Sequence, residues 1–129
     1  MEILLISNQI PLDEKRLLEN VLAEHQIDVR LSDSYKKAIE DLAKYKYSIV
    51  ILYCFDGQDD LSPTEAVRIM KGIVPTLLII AISGETALET ERELRKSGLY
   101  FHLTSPFSES ELRDVLISVI KKEQMGRKR

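Results

Sequence analysis

Three acids stand close together in this chain. Asp56, Asp59 and Asp60 fall within the segment Asp56-Gly57-Gln58-Asp59-Asp60, and carboxylates gathered on a loop are what a hard divalent cation selects. Their spacing lacks the full ligand set of a calcium loop, so the segment is read as a solvated turn. The two histidines, His25 and His102, lie far apart in the chain. A lone imidazole is not a metal site, and neither metal nor cofactor is expected. Cys54 is the single cysteine. It continues an apolar run and is read as a core thiol rather than a reactive one. Ser7 to Leu12 contains no glycine, so the tight turn of a dinucleotide cradle is missing after the first apolar run. No Ser-His-Asp order can be argued from spacing, and no enzyme is expected.

Composition narrows the class further. The chain has 129 residues, 44% apolar and 30% charged, which suits one globular domain with a substantial core. Its net charge of -3 gives no general pull toward nucleic acid. The longest apolar stretch, Val74 to Ile82, is interrupted by Thr76 and suits a buried strand better than a membrane span. Met1-Glu2-Ile3 lacks the basic start of a signal peptide. With one cysteine, the expectation is a reducing cytoplasm. Positive charge concentrates at Lys121, Lys122, Arg127, Lys128 and Arg129. The expected division is a domain over residues 1–122 and a basic tail, or the start of a linker, over 123–129.

The elements that position these residues alternate in type. Ile3 to Ile6, Ile49 to Phe55 and Leu77 to Ile82 are continuous apolar runs, the mark of strands covered on both faces. Ile27, Val29 and Leu31 alternate with Asp28 and Arg30, predicting an edge strand with one wet face. Leu99 to Leu103 is a short fifth strand. Between them lie helical patterns. Pro11 opens the first, with Asp13 and Glu14 in its first turn and Leu17, Leu18, Val21 and Leu22 on one face. Ser34 caps the second, above Ala38, Ile39 and Leu42. Ser62-Pro63-Thr64-Glu65 starts the third with a capping box. Glu85 to Lys96 is a sparsely apolar fourth, ended by Gly98. Ser108 with Glu111 caps the fifth.

Buried parallel strands joined by right-handed helical crossovers imply a doubly wound α/β sandwich with flavodoxin-like strand order 2-1-3-4-5. In such sheets function gathers beyond the carboxyl ends of the strands. The loops after Ile6, Tyr53, Ile82 and Leu103 therefore share one rim.

At that rim the sequence resembles the receiver domain of bacterial response regulators over residues 1–122. Tyr47-Ser48-Ile49-Val50-Ile51-Leu52-Tyr53 resembles the receiver's third strand, and Ile79-Ile80-Ala81-Ile82-Ser83-Gly84 its fourth. Gly98 to Phe107, ending Thr104-Ser105-Pro106-Phe107, resembles the family's block that runs from a glycine to lysine, proline and phenylalanine. The resemblance implies a phospho-accepting aspartate where Tyr53 stands, a phosphoryl-contacting hydroxyl at Ser83 and a lysine where Ser105 stands. It also implies a cis bond before Pro106 and an aromatic switch position at His102. The two metal-binding acids would follow the first strand, where the chain reads Ser7-Asn8, or Asn8-Gln9 in a shifted register.

None of the four charged groups implied by the resemblance is present. A phenol cannot form an acyl phosphate, and a serine brings no charge to phosphoryl oxygens. Tyr53 is expected to fill the vacated pocket, its hydroxyl bonded to Ser83 or Ser105. The expectation is a pseudo-receiver in bacterial signal transduction, working through a protein partner or effector domain. A homodimer through the fourth helix, fifth strand and fifth helix is one form of this, with Tyr100, His102, Glu89 and Arg92 as interface or switch residues. Direct nucleic-acid binding and membrane association are not expected. Two rival readings stand beside it: a small-molecule sensor using the neutralised pocket, and phosphorylation at a non-standard acid such as Asp56.

Overall fold

The structure is a computed structural model that describes residues 1–7, 10–54, 61–84 and 88–127, with the side chains of 88–91 and 127 left aside. Five parallel strands form one sheet in the order β2-β1-β3-β4-β5. They are β1 (Glu2–Ile6), β2 (Asp28–Ser32), β3 (Ile49–Tyr53), β4 (Leu78–Ser83) and β5 (Phe101–Thr104). The helices are α1 (Leu12–Glu24), α2 (Tyr35–Lys44), α3 (Pro63–Ile73), α4 (Leu88–Lys96) and α5 (Glu109–Arg127). This is the doubly wound, flavodoxin-like sandwich that the alternation of apolar runs and helical patterns implies.

Each strand residue chooses a face, and the two faces make two cores. Ile3, Leu5, Ile49, Ile51 and Tyr53 point to one side, where α1 brings Leu18 and Val21 and α5 brings Leu112 and Leu116. Leu4, Ile6, Val50 and Leu52 point to the other, against Ala38 of α2, Val67 and Met70 of α3, and Leu94 of α4. Burial on both faces is why β1, β3 and β4 read as unbroken apolar runs.

Local signals set the helix starts. The Ser62 side chain accepts from the Glu65 N–H while the Glu65 carboxylate accepts from the Ser62 N–H, completing the capping box with Pro63 in the first turn. Ser34 accepts from the Lys37 N–H at 3.1 Å. Pro11 precedes α1 without a side-chain cap, so the first-turn N–H groups of that helix keep their positive potential. Gly98 sits at φ 106 after α4, a conformation that strains any residue with a Cβ.

Two expectations are corrected. The second strand does not have one dry face: Val29 is 38% and Leu31 57% exposed, and only Ile27, just before the strand, enters the core. At the sheet edge a helix covers the inner neighbour β1 first, and alternation alone does not show where that cover stops. The fifth strand begins at Phe101 rather than Leu99; Leu99 and Tyr100 instead pack at the margins of the two cores.

Candidate functional site

The carboxyl ends of the strands converge as the doubly wound topology requires. Tyr53 ends β3 and Ser83 ends β4, and Ser105 follows β5. Ser7 follows β1, its N–H donating to the Ser32 carbonyl at 2.9 Å. Ile6 pairs with Leu52, so Ser7 lies one register step on, beside Tyr53. Alternation places it on the face of Leu5 and Tyr53. The Ser105–Pro106 peptide is cis. Asn8, Asp56, Asp59 and Asp60 lie outside the described residues, as does the side chain of Glu89. Arg92 is exposed on α4.

The centre of the site is a residue that the sequence reading put in the first turn of the first helix but did not assign to the rim. Glu14, in the first turn of α1, is only 7% exposed. Its carboxylate accepts from the Tyr53 hydroxyl on one oxygen and from the Ser105 hydroxyl on the other. The two hydroxyls are themselves 3.2 Å apart. Tyr53 therefore does bond Ser105, but its principal partner is Glu14 and not Ser83. A carboxylate that accepts from two hydroxyls forms charge-assisted bonds, roughly twice as strong as neutral ones. Among the described residues Glu14 forms no ion pair. Two neutral donors and the uncapped α1 N-terminus take the place of a cation.

The signal for Glu14 was present in the spacing. Position 14 stands three, four and seven residues before Leu17, Leu18 and Val21, so it falls on the apolar stripe of α1 rather than on its wet side. An acid on a core-facing stripe needs a buried donor, and Tyr53 and Ser105 supply one each.

Ser83 turns away from this cluster. Its hydroxyl lies 2.6 Å from His102 Nε2, joining the end of β4 to β5. Tyr100 and His102 share a groove of about 500 Å³ along β5 and α5, together with Phe101, Glu111, Asp114 and Ser118. Phe101 is exposed there, and the Tyr100 hydroxyl bonds Ser118 on α5. A second tie fixes α5 against α1. Arg113 donates through Nη2 and Nε to both Glu24 oxygens, at 2.9 and 3.2 Å. This hydrogen-bonded guanidinium holds the Glu24 carboxyl below the usual carboxylate range. The pair is exposed, so its weight is that of a surface clamp.

Cys54 follows Tyr53 and packs against the opposite core. Burial pushes its thiol up to about 12 from an ordinary 9.0, and burial, with the negative charge of Glu2 nearby, pushes Tyr47 up to about 12. The folded state therefore binds the Cys54 proton more tightly than the unfolded chain does. That contribution is complete below pH 9 and is lost as pH climbs toward 12. Between pH 8 and pH 10 the unfolding free energy should fall by about 1.4 kcal/mol on this account. Cys54→Ala, compared by urea denaturation at both pH values, should remove that fall; an unchanged slope would mean the thiol is open to water.

No family model matches the sequence, and none of the curated proteins matches it. Solved structures do match. The chain superimposes on NtrX from Brucella abortus, solved in complex with ADP, with TM-score 0.82 at 20% identity; the match covers 98% of this chain and 28% of NtrX. The signal receiver domain of an HD domain-containing protein from Pseudomonas fluorescens Pf-5 gives 0.82 at 19%, covering 96% of this chain and 97% of that one. A response regulator receiver domain from Clostridium thermocellum gives 0.79 at 21%, with the same coverage. The fold thus defines a flavodoxin-like α/β domain, with the Glu14, Tyr53 and Ser105 cluster at its strand ends. More narrowly, the fold is that of response regulator receiver domains.

Proposed function

We propose that this chain is a pseudo-receiver: a signalling domain of the response-regulator type that takes no phosphoryl group and acts by binding another protein. One observation carries the reading. Tyr53 stands where β3 ends, and its hydroxyl is bonded to Glu14 and Ser105. Acyl-phosphate formation needs a carboxylate nucleophile with positive charge around the transferred oxygens, and this end of the strand offers a phenol facing a carboxylate. Such a domain has no catalytic step of its own.

Contact with a partner is the remaining output. The groove along β5 and α5 is the surface proposed for it, with exposed Phe101 as the apolar anchor and Glu111 and Asp114 as the polar rim. Aromatic anchors bordered by charge are what protein interfaces use. The partner is an effector domain, a separate protein or a second copy of the chain, in the cytoplasm. The small-molecule reading is disfavoured, because Glu14 already takes the Tyr53 and Ser105 hydroxyls that a ligand would use.

The test is direct. Acetyl phosphate or beryllofluoride with magnesium should leave the amide NMR spectrum unchanged, and intact mass after acetyl phosphate should show no added phosphoryl group. A phosphorylated species at Asp56 or any other acid, or large shifts around Tyr53, Ser83 and His102, would overturn the reading.

A further inference from the structure

We infer that the rim is an anion pocket whose anion is built in. The Glu14 carboxylate is its resident ligand and locks α1 to the end of β3 and to the turn after β5. The inference deepens the pseudo-receiver reading and rests on it for the meaning of the lock, namely that Glu14 stands in for an external phosphoryl group.

Four observations carry it. First, the donors come from separate elements and meet on one carboxylate: Tyr53 from β3 bonds one oxygen and Ser105 from beyond β5 bonds the other. Second, Glu14 and Tyr53 are both buried, so the carboxylate gives up most of its water and must be held by these donors. Third, α1 begins at Leu12 with no side-chain cap, which puts Glu14 in the first turn of a positive helix end. Fourth, Ser7 is buried beside Tyr53, and its hydroxyl has no hydrogen-bond partner among the described residues. A buried hydroxyl with spare capacity at this rim is a third donor for an anion seated there.

The consequence is mechanical. Glu14 connects three elements that the backbone joins only through long crossovers. While it is seated, the turn at Ser105 cannot move relative to α1 without breaking a charge-assisted bond. The lock is also exclusive, since the hydroxyls that would greet an incoming anion are already taken.

The experiment is chemical rescue on the full chain. Glu14→Ala removes the resident carboxylate and leaves the hydroxyl donors facing a space of carboxylate size. Its melting temperature should drop by about 5–10 °C. Sodium acetate at about ten times its dissociation constant should return about 4 °C of that loss, while sodium chloride at equal ionic strength returns none. Wild type and Glu14→Gln keep the space filled and should gain nothing from acetate. Acetate that raises all three proteins equally, or none of them, would overturn the inference. If Glu14→Ala is unfolded in chloride, recovery of its folded circular-dichroism signal in acetate supports the lock. No recovery, with Glu14→Gln folded, counts against it. Phosphodonor treatment decides the pseudo-receiver reading separately, so each can fail while the other stands.

Discussion

Tyr53→Asp should lower the unfolding free energy by about 4 kcal/mol at pH 7. The substitution puts at the end of β3 the acid that the sequence resemblance implies there, yet it should be among the most damaging changes available. The Tyr53 ring belongs to the core shared with α1 and α5, and removing it leaves a cavity. The new carboxylate would face the Glu14 carboxylate, which is buried and already bonded to Ser105. Two carboxylates sharing a dry site cannot both ionise cheaply, so the introduced group takes a raised pKa. The sign follows. The charge part of the deficit appears as pH rises through the unfolded carboxyl range near 4 and vanishes below it. Urea denaturation at pH 7 and at pH 4 should therefore show the deficit shrinking at the lower pH. Adding Glu14→Ala to Tyr53→Asp should recover part of it at pH 7, since the repulsion is then gone. A Tyr53→Asp protein as stable as wild type would mean that Glu14 does not face this position.

Leu52→Ala, one residue earlier, should cost about 3 kcal/mol for a different reason. Leu52 is fully buried on the α2–α3 side of the sheet, between Ile6 on β1 and Ala81 on β4. Both neighbouring strands are fixed by their own ladders, so the site cannot collapse onto the vacancy. No charge is involved, and the deficit should be the same at pH 7 and pH 4. The urea midpoint should fall with the slope unchanged. The two adjacent positions thus separate a core that is filled from a site that is charged. A pH-dependent loss at Leu52→Ala would show that the two faces of β3 are not independent.

The fold was legible because its signals are local and repeated. Three apolar runs of strand length, separated by capped helical patterns, leave few topologies once right-handed crossovers are required. The Ser62 capping box and the turn at Gly98 could be placed without knowing any long-range contact, because each is closed within a few residues. The extent of helical cover over β2 was not legible. Val29 and Leu31 have the residue types of a buried strand face, and only the packing of α1 beyond Ile27 decides that they stay in water.

At the rim the chain's own sequence determined the residue types: Ser7, Tyr53 and Ser105 each bring a hydroxyl to the strand ends. It did not determine which group those hydroxyls meet. The tertiary structure brings Glu14 to Tyr53 and Ser105 across separations of 39 and 91 residues. The reason is geometric. Hydroxyl type and strand position are written into single residues, whereas the seating of a carboxylate depends on how α1 packs over the sheet, and no local stretch of sequence contains both sides of that contact.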